Sequence, residues 1–261
     1  RFYVSSPICS PSRASFLTGR HPYRYGIFAA HTGGMRIGEI TVAEALRDNG
    51  YATGVFGKWH MGWVRPQPEN ERGFFSPPWH HGFETSFATT SAVPLWNPAV
   101  TPPGWNSWGQ REGTPWKEGA AYVAYDGHEN GWGETVRENL EGENSRVIMD
   151  RVVPFIRKHA GEGRPFLSMV WFHTPHEPVV AGPEYLAMYG GLDEAKQHYY
   201  GAITAMDRQI GRLREELRRL GIERETLVFF VSDNGAARPL LRAGAASTGP
   251  FRGSKHTMYE G

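Results

Sequence analysis

The segment Cys9-Ser10-Pro11-Ser12-Arg13 continues as Ala14-Ser15-Phe16-Leu17-Thr18-Gly19-Arg20 and contains the single cysteine of this 261-residue chain. A proline in the first turn of a helix lacks only a donor that the helix does not use, and a glycine such as Gly19 ends one. A helix beginning near Pro11 puts Cys9 at its N-terminus and Arg13 one turn on. Backbone N–H groups, the positive end of the dipole and a guanidinium then converge on one point, an arrangement that binds a tetrahedral dianion. The plain alternative is a small buried thiol at a strand–helix junction.

Other chemistry-bearing residues follow apolar runs. Lys58 and His60 come after Tyr51–Phe56; two residues apart in an extended segment, they project to one side. His173 and His176 follow the run Phe166–Phe172, and Asp233 and Asn234 follow Leu227–Val231. Asp-Asn offers hard oxygen ligands suited to Ca²⁺ or Mg²⁺, while Asp-Asn-Gly is equally a good turn.

These residues need elements to hold them. Thr41 and Glu44 have capping-box spacing, which predicts a helix over 41–49. Val147, Ile148, Val152, Phe155 and Ile156 form a helical stripe, and a longer one runs from Ala195 to Leu220. The three apolar runs read as strands buried on both faces. The alternation predicts an α/β fold with a mostly parallel sheet, whose sites lie beyond the carboxyl ends of the strands. Lys58/His60, His173/His176 and Asp233/Asn234 then share one edge and make one site. Residues 62–142 break the rhythm. This stretch, rich in Trp, Pro and Gly, contains Trp63, Trp79, Trp96, Trp105, Trp108, Trp116 and Trp132 and reads as an insertion within one partial domain spanning 1–261. Its indoles either stack on sugar rings or glue a loop layer to the sheet.

Composition narrows the classes. A net charge of +1 gives no bulk electrostatic case for nucleic acid, and no apolar run reaches the ~18 residues of a membrane span. One cysteine permits no intrachain disulfide.

The twelve residues from Cys9 resemble the signature of the type I, formylglycine-dependent sulfatases of the alkaline phosphatase superfamily. Gly57-Lys58-Trp59-His60, His173-Thr174-Pro175-His176, Asp233-Asn234 and Pro250–Gly261 resemble further segments of that family. The resemblance covers residues 1–62 and about 145–261. It implies an alkaline phosphatase-like sheet sandwiched by helices and hydrolysis of a sulfate monoester, most readily of a sulfated carbohydrate. It also implies oxidation of Cys9 to formylglycine by a formylglycine-generating or sulfatase-maturing enzyme. The hydrated aldehyde attacks sulfur, giving a sulfo-enzyme that then expels sulfate. In this scheme Arg13 stabilises the nucleophile and Arg20 is structural. Lys58 contacts sulfate and the nucleophile's hydroxyl, and His60 orients that hydroxyl or takes its proton. His173 contacts sulfate and protonates the leaving alcohol, while His176 reads the substrate or packs. Lys255 is a second sulfate-binding cation, and Asp233, Asn234 and residue 9 hold Ca²⁺, or Mg²⁺. Family analogy implies a periplasmic or secreted location.

The family's metal site also uses an Asp-Asp pair on a first strand before the cysteine motif, and this sequence contains no Asp-Asp. The chain therefore reads as an internal fragment truncated at both ends, with weak metal binding and little turnover by itself. Two rivals remain: a phosphonate monoester or phosphodiester hydrolase of the same superfamily, and a non-catalytic binder of sulfated glycans.

Overall fold

The apolar run at Ala52–Lys58 forms β1, all seven residues of which are buried. A strand covered on both faces lies inside a sheet with a neighbour on each side, and β1 does so in this computed structural model. The structure describes residues 3–30, 32–66, 74–105, 111–116, 121–127 and 131–261. β1 pairs in parallel with β2 (Thr85–Thr89) on one side and with β5 (Phe166–Trp171) on the other. β3 (Val123–Asp126) and β4 (Glu134–Thr135) extend the sheet antiparallel, giving the order β4-β3-β2-β1-β5. Gly57 is obligatory in β1: its φ is +108°, and a Cβ there would stand 2.0 Å from the Trp171 carbonyl oxygen.

Alternation along the strands divides the core. Phe56 and Phe87 face one layer, which contains Val147, Ile148, Val152, Phe155, Ile156 and Leu217. Val55 and Ala88 face the other, with Ala14, Leu17, Trp59 and Phe83. Helices α3 (Asn144–Gly161) and α5 (Glu194–Arg219) build the first layer. Helices α1 (Cys9–Thr18) and α2 (Val42–Asp48) build the second. Two shorter helices, α4 (Pro183–Ala187) and α6 (Arg238–Arg242), flank α5 in the chain. The predicted parallel core sandwiched by helices is thus present, with an antiparallel extension. The capping box at Thr41 and Glu44 forms in both directions, at 3.1 and 2.8 Å.

Two regions differ from expectation. The stretch 62–142 contributes three of the five strands, so much of it belongs to the sheet rather than to an appended layer. Its indoles divide accordingly. Trp116 is buried and donates to the Ala92 carbonyl, and Trp79 stacks on Tyr125 with centroids 4.8 Å apart. Trp132 is 48% exposed; Trp108 lies outside the described residues.

The run Leu227–Val231 is not a strand. Its residues have no regular secondary structure, and Leu227 and Phe229 are 79% and 72% exposed. Strand propensity expresses itself only where a neighbouring ladder accepts the backbone groups. The sheet ends at β5, and among the described residues no strand pairs with this run. No helix among the described residues is long and apolar enough to cross a membrane.

Candidate active site

Helix α1 starts at Cys9 itself, earlier than the proline suggests, and Ile8 is its N-cap. At the far end Gly19 adopts the left-handed conformation and its N–H donates to the Ser15 carbonyl at 2.8 Å. The Cys9 thiol is free and only 2% exposed. Burial pushes its pKa up. Lys58, Lys255 and Arg13 act against this and against Asp233, and the net result is a thiol below its ordinary value. Residues from four separate parts of the chain thus act on Cys9.

Arg13 joins the pieces. Its Nη1 donates to the Lys58 carbonyl at 2.7 Å. Its Nη2 lies 2.7 Å from Asp233 Oδ2, near enough for an ion pair though not aligned as a hydrogen bond. The guanidinium also lies 5.0 Å from the centre of the Trp171 ring at the end of β5. One side chain thus ties α1 to the tips of β1 and β5 and to the stretch carrying Asp233. That ion pair and the neighbouring Lys58 and Lys255 outweigh burial and hold the Asp233 carboxyl below its usual range.

Lys58 closes β1 with its side chain fully buried, and desolvation is the main cause that brings its pKa down to about 8. His60 is also buried, but its φ is +60°. The chain turns left-handed there, so the extended i, i+2 geometry does not account for its position.

The two histidines after β5 have different surroundings. His173 is 2% exposed and turned inward: the Val93 N–H donates to Nδ1 at 3.4 Å, and Nε2 meets Thr89 Oγ1 at 3.3 Å. The Tyr122 ring stands edge-on to it. His176 donates from Nδ1 to the Glu177 carbonyl at 2.8 Å, which leaves Nε2 as the acceptor facing Lys255 Nζ at 3.2 Å. Burial, followed by Lys58, holds both imidazoles well below their ordinary pKa, so both are neutral. Thr89, Val93 and Trp171 carry no motif. They support the site across 80 or more residues, as Thr89 does for His173 at a separation of 84, and spacing along the chain cannot announce them.

Lys255 is fixed through its backbone. Its N–H donates to the Ala236 carbonyl at 2.9 Å, and the His256 N–H donates to the Pro7 carbonyl at 3.0 Å. Arg20, outside this cluster, pairs with Glu39.

Among the described residues no group of three or more His, Cys, Asp and Glu converges as a metal cage. Asn234 Oδ1 is nevertheless buried without a hydrogen-bond partner beside the ionised Asp233. An orphaned amide oxygen and a carboxylate suit a hard divalent cation, so the residues present fit part of such a site. Taken together, one α1 N-terminus, three cations and two neutral imidazoles can hold a tetrahedral dianion and exchange a proton with it.

Comparison with known proteins agrees with this chemistry. The family model described as Sulfatase matches residues 1–261. N-acetylgalactosamine-6-sulfatase of Rattus norvegicus is 30% identical over 275 residues, which cover 100% of this chain and 47% of that protein. Arylsulfatase A of Bos taurus is 30% identical over 286 residues, covering 100% and 49%. The crystal structure of Ps i-CgsB in complex with k-i-k-neocarrahexaose superposes with a TM-score of 0.76 at 24% identity, covering 99% of this chain and 54% of that one. The chain spans about half the length of the curated relatives it matches.

Proposed function

We propose, from the premise that this chain belongs to the sulfatase family, that the whole protein hydrolyses a sulfate monoester at the centre built around Cys9. One observation carries the proposal: Arg13, one turn after Cys9 on α1, bonds the Lys58 carbonyl and pairs with Asp233, so that these residues meet beside the buried Cys9. A sulfated saccharide is the favoured substrate class, supported by the name of the N-acetylgalactosamine-6-sulfatase relative. A periplasmic or secreted location rests on the family resemblance alone.

Oxidation of Cys9 to formylglycine by a maturing enzyme would supply, through the aldehyde hydrate, an oxygen nucleophile where a thiol now stands. Asp233 and Asn234, with residue 9, would hold Ca²⁺ or Mg²⁺, which supplies positive charge against the sulfate oxygens. The remaining roles belong to side chains of this chain. Lys58 and Lys255 neutralise the non-bridging oxygens in a dry site, where such charges act most strongly. Arg13 steadies the N-terminus of α1 against Asp233 and β1, and His60 orients the nucleophile.

We assign the proton transfer at the ester oxygen to His176 instead of His173. Nε2 of His176 faces Lys255, whereas both ring nitrogens of His173 are turned to Thr89 and Val93. The monoanionic sulfate group of an arriving ester offsets part of the field of Lys58 and Lys255, and this raises the affinity of His176 for a proton as the leaving group comes within reach. His173 becomes the pin that locks the loop after β5 to the end of β2.

The test uses the full-length protein expressed with a formylglycine-generating enzyme. The Cys9 peptide should lose about 18 Da in mass, the change from thiol to aldehyde on this oxidisable residue. The matured protein should cleave sulfate esters faster than aryl phosphodiesters. An unmodified thiol despite a competent maturing enzyme supports the glycan-binder alternative, and faster cleavage of phosphodiesters supports the other hydrolase.

A further inference from the structure

Four non-glycine residues among those described have a left-handed backbone: His60, Asn97, Asn139 and His256. This conformation is uncommon for any residue with a side chain, and Asn, Asp and His adopt it most readily. The two asparagines tolerate it and use their amides. Asn97 Oδ1 accepts from the Gly142 N–H at 2.6 Å, and Asn139 bonds Asp150 and Arg146. His60 belongs to the site already described. His256 alone has no such account.

Its position in the turn makes the cost definite. The Thr257 N–H donates to the Ser254 carbonyl at 3.0 Å, which makes 254–257 a β-turn. His256, at φ +73°, is the third residue of that turn, while Lys255 before it does not have positive φ. This is the type II pattern, whose third position calls for glycine. The imidazole is exposed, and among the described residues it has no hydrogen bond, ion pair or ring contact. Among the described residues no side-chain contact of His256 offsets the strain. The backbone, by contrast, is held firmly: the His256 N–H is bonded to the Pro7 carbonyl two residues before Cys9, and Lys255 reaches His176. An exposed histidine is thus kept on a left-handed backbone beside Lys255 and tied to the segment that leads into Cys9. Strain of this kind persists where function uses it.

We propose that His256 is a specificity-determining residue that hydrogen-bonds hydroxyl groups on the saccharide ring carrying the sulfate. The proposal rests on the sulfatase reading above. The sulfate falls to Lys58, Lys255 and Arg13, and His256 reads the alcohol part.

The experiment compares full-length matured wild type, His256→Gly and His256→Asn. The substrates are 4-nitrophenyl sulfate and a panel of sulfated galactose, N-acetylgalactosamine and N-acetylglucosamine. Loss of one hydrogen bond to a sugar should lower kcat/KM for the best saccharide ester about tenfold more than for the aryl ester, mainly through KM. Tm should not fall, because glycine suits the turn. Asparagine, which keeps the backbone and offers an amide, should recover part of the loss. An equal loss on both ester types, no loss on the saccharide, or turnover of the aryl ester alone overturns the assignment of His256 and leaves the sulfatase reading standing. A matured wild type that cleaves none of these esters removes both.

Discussion

The site is assembled from two kinds of structure. Cys9, Arg13, Lys58 and His173 stand on α1, on β1 or just beyond β5, rooted in the two apolar layers. Asp233 and Lys255 come from stretches with no helix or strand of their own. The rooted half is placed by packing, and its polar atoms bond to neighbours the core has already fixed. The other half is placed by polar ties: Asp233 to Arg13, the Lys255 N–H to Ala236, and the His256 N–H to Pro7. The difference shows where precision comes from. Close packing fixes buried charges at the cost of desolvating them, whereas a charge on a loop needs a partner to hold it in place.

The most damaging way to break this comparison is Arg13→Gln, which removes the tie between the halves while keeping a similar shape. Turnover of the matured full-length protein should fall by about a thousandfold, the usual scale for losing a preorganised charge. Amide exchange should quicken at 232–237 and 254–257 and stay slow in β1. Uniform exchange changes across both halves would mean that the loops are not held through Arg13.

His173→Asn and His176→Asn sharpen the same contrast. Removing the proton donor should cost about 10²–10⁴ in kcat with little change in Tm. Removing the pin should lower Tm by about 5 °C through lost buried bonds and cost less turnover. The opposite pattern would return the chemistry to His173.

The smallest effect concerns the desolvation that rooting entails. Glu143, the N-cap of α3, is buried, and desolvation is the main cause that lifts its carboxyl from an ordinary 4.5 to about 8. In that window the folded state binds the extra proton, so stability must fall as pH rises from about 4.5 to 8. Glu143→Gln should flatten this slope and stabilise the protein by ~1 kcal/mol near pH 7. Denaturant midpoints at pH 5 and pH 8 measure it, and an unchanged slope would reject Glu143 as its source.

Local rules made part of this legible. The capping box before α2 and the stripe of α5 are short-range patterns and form as read. Strands β2, β3 and β4 contain only five, four and two residues, too few for alternation to stand out among Trp, Pro and Gly. Leu227–Val231 has a strand's composition without a ladder to join, which no pattern within the run could reveal. Motif spacing named the candidate site residues, but it could not say what the ring nitrogens of His173 and His176 face. Thr89, Val93 and Lys255 decide that from distant parts of the chain.

The burial of Cys9 has a consequence for how the protein is made. Under the proposed conversion to formylglycine, an enzyme would have to reach this sulfur, yet in the folded chain the sulfur sits in the first turn of a helix at 2% exposure. Access closes once α1 docks on the sheet. Any such conversion would therefore have to precede collapse, and a chain that folded first would keep its thiol.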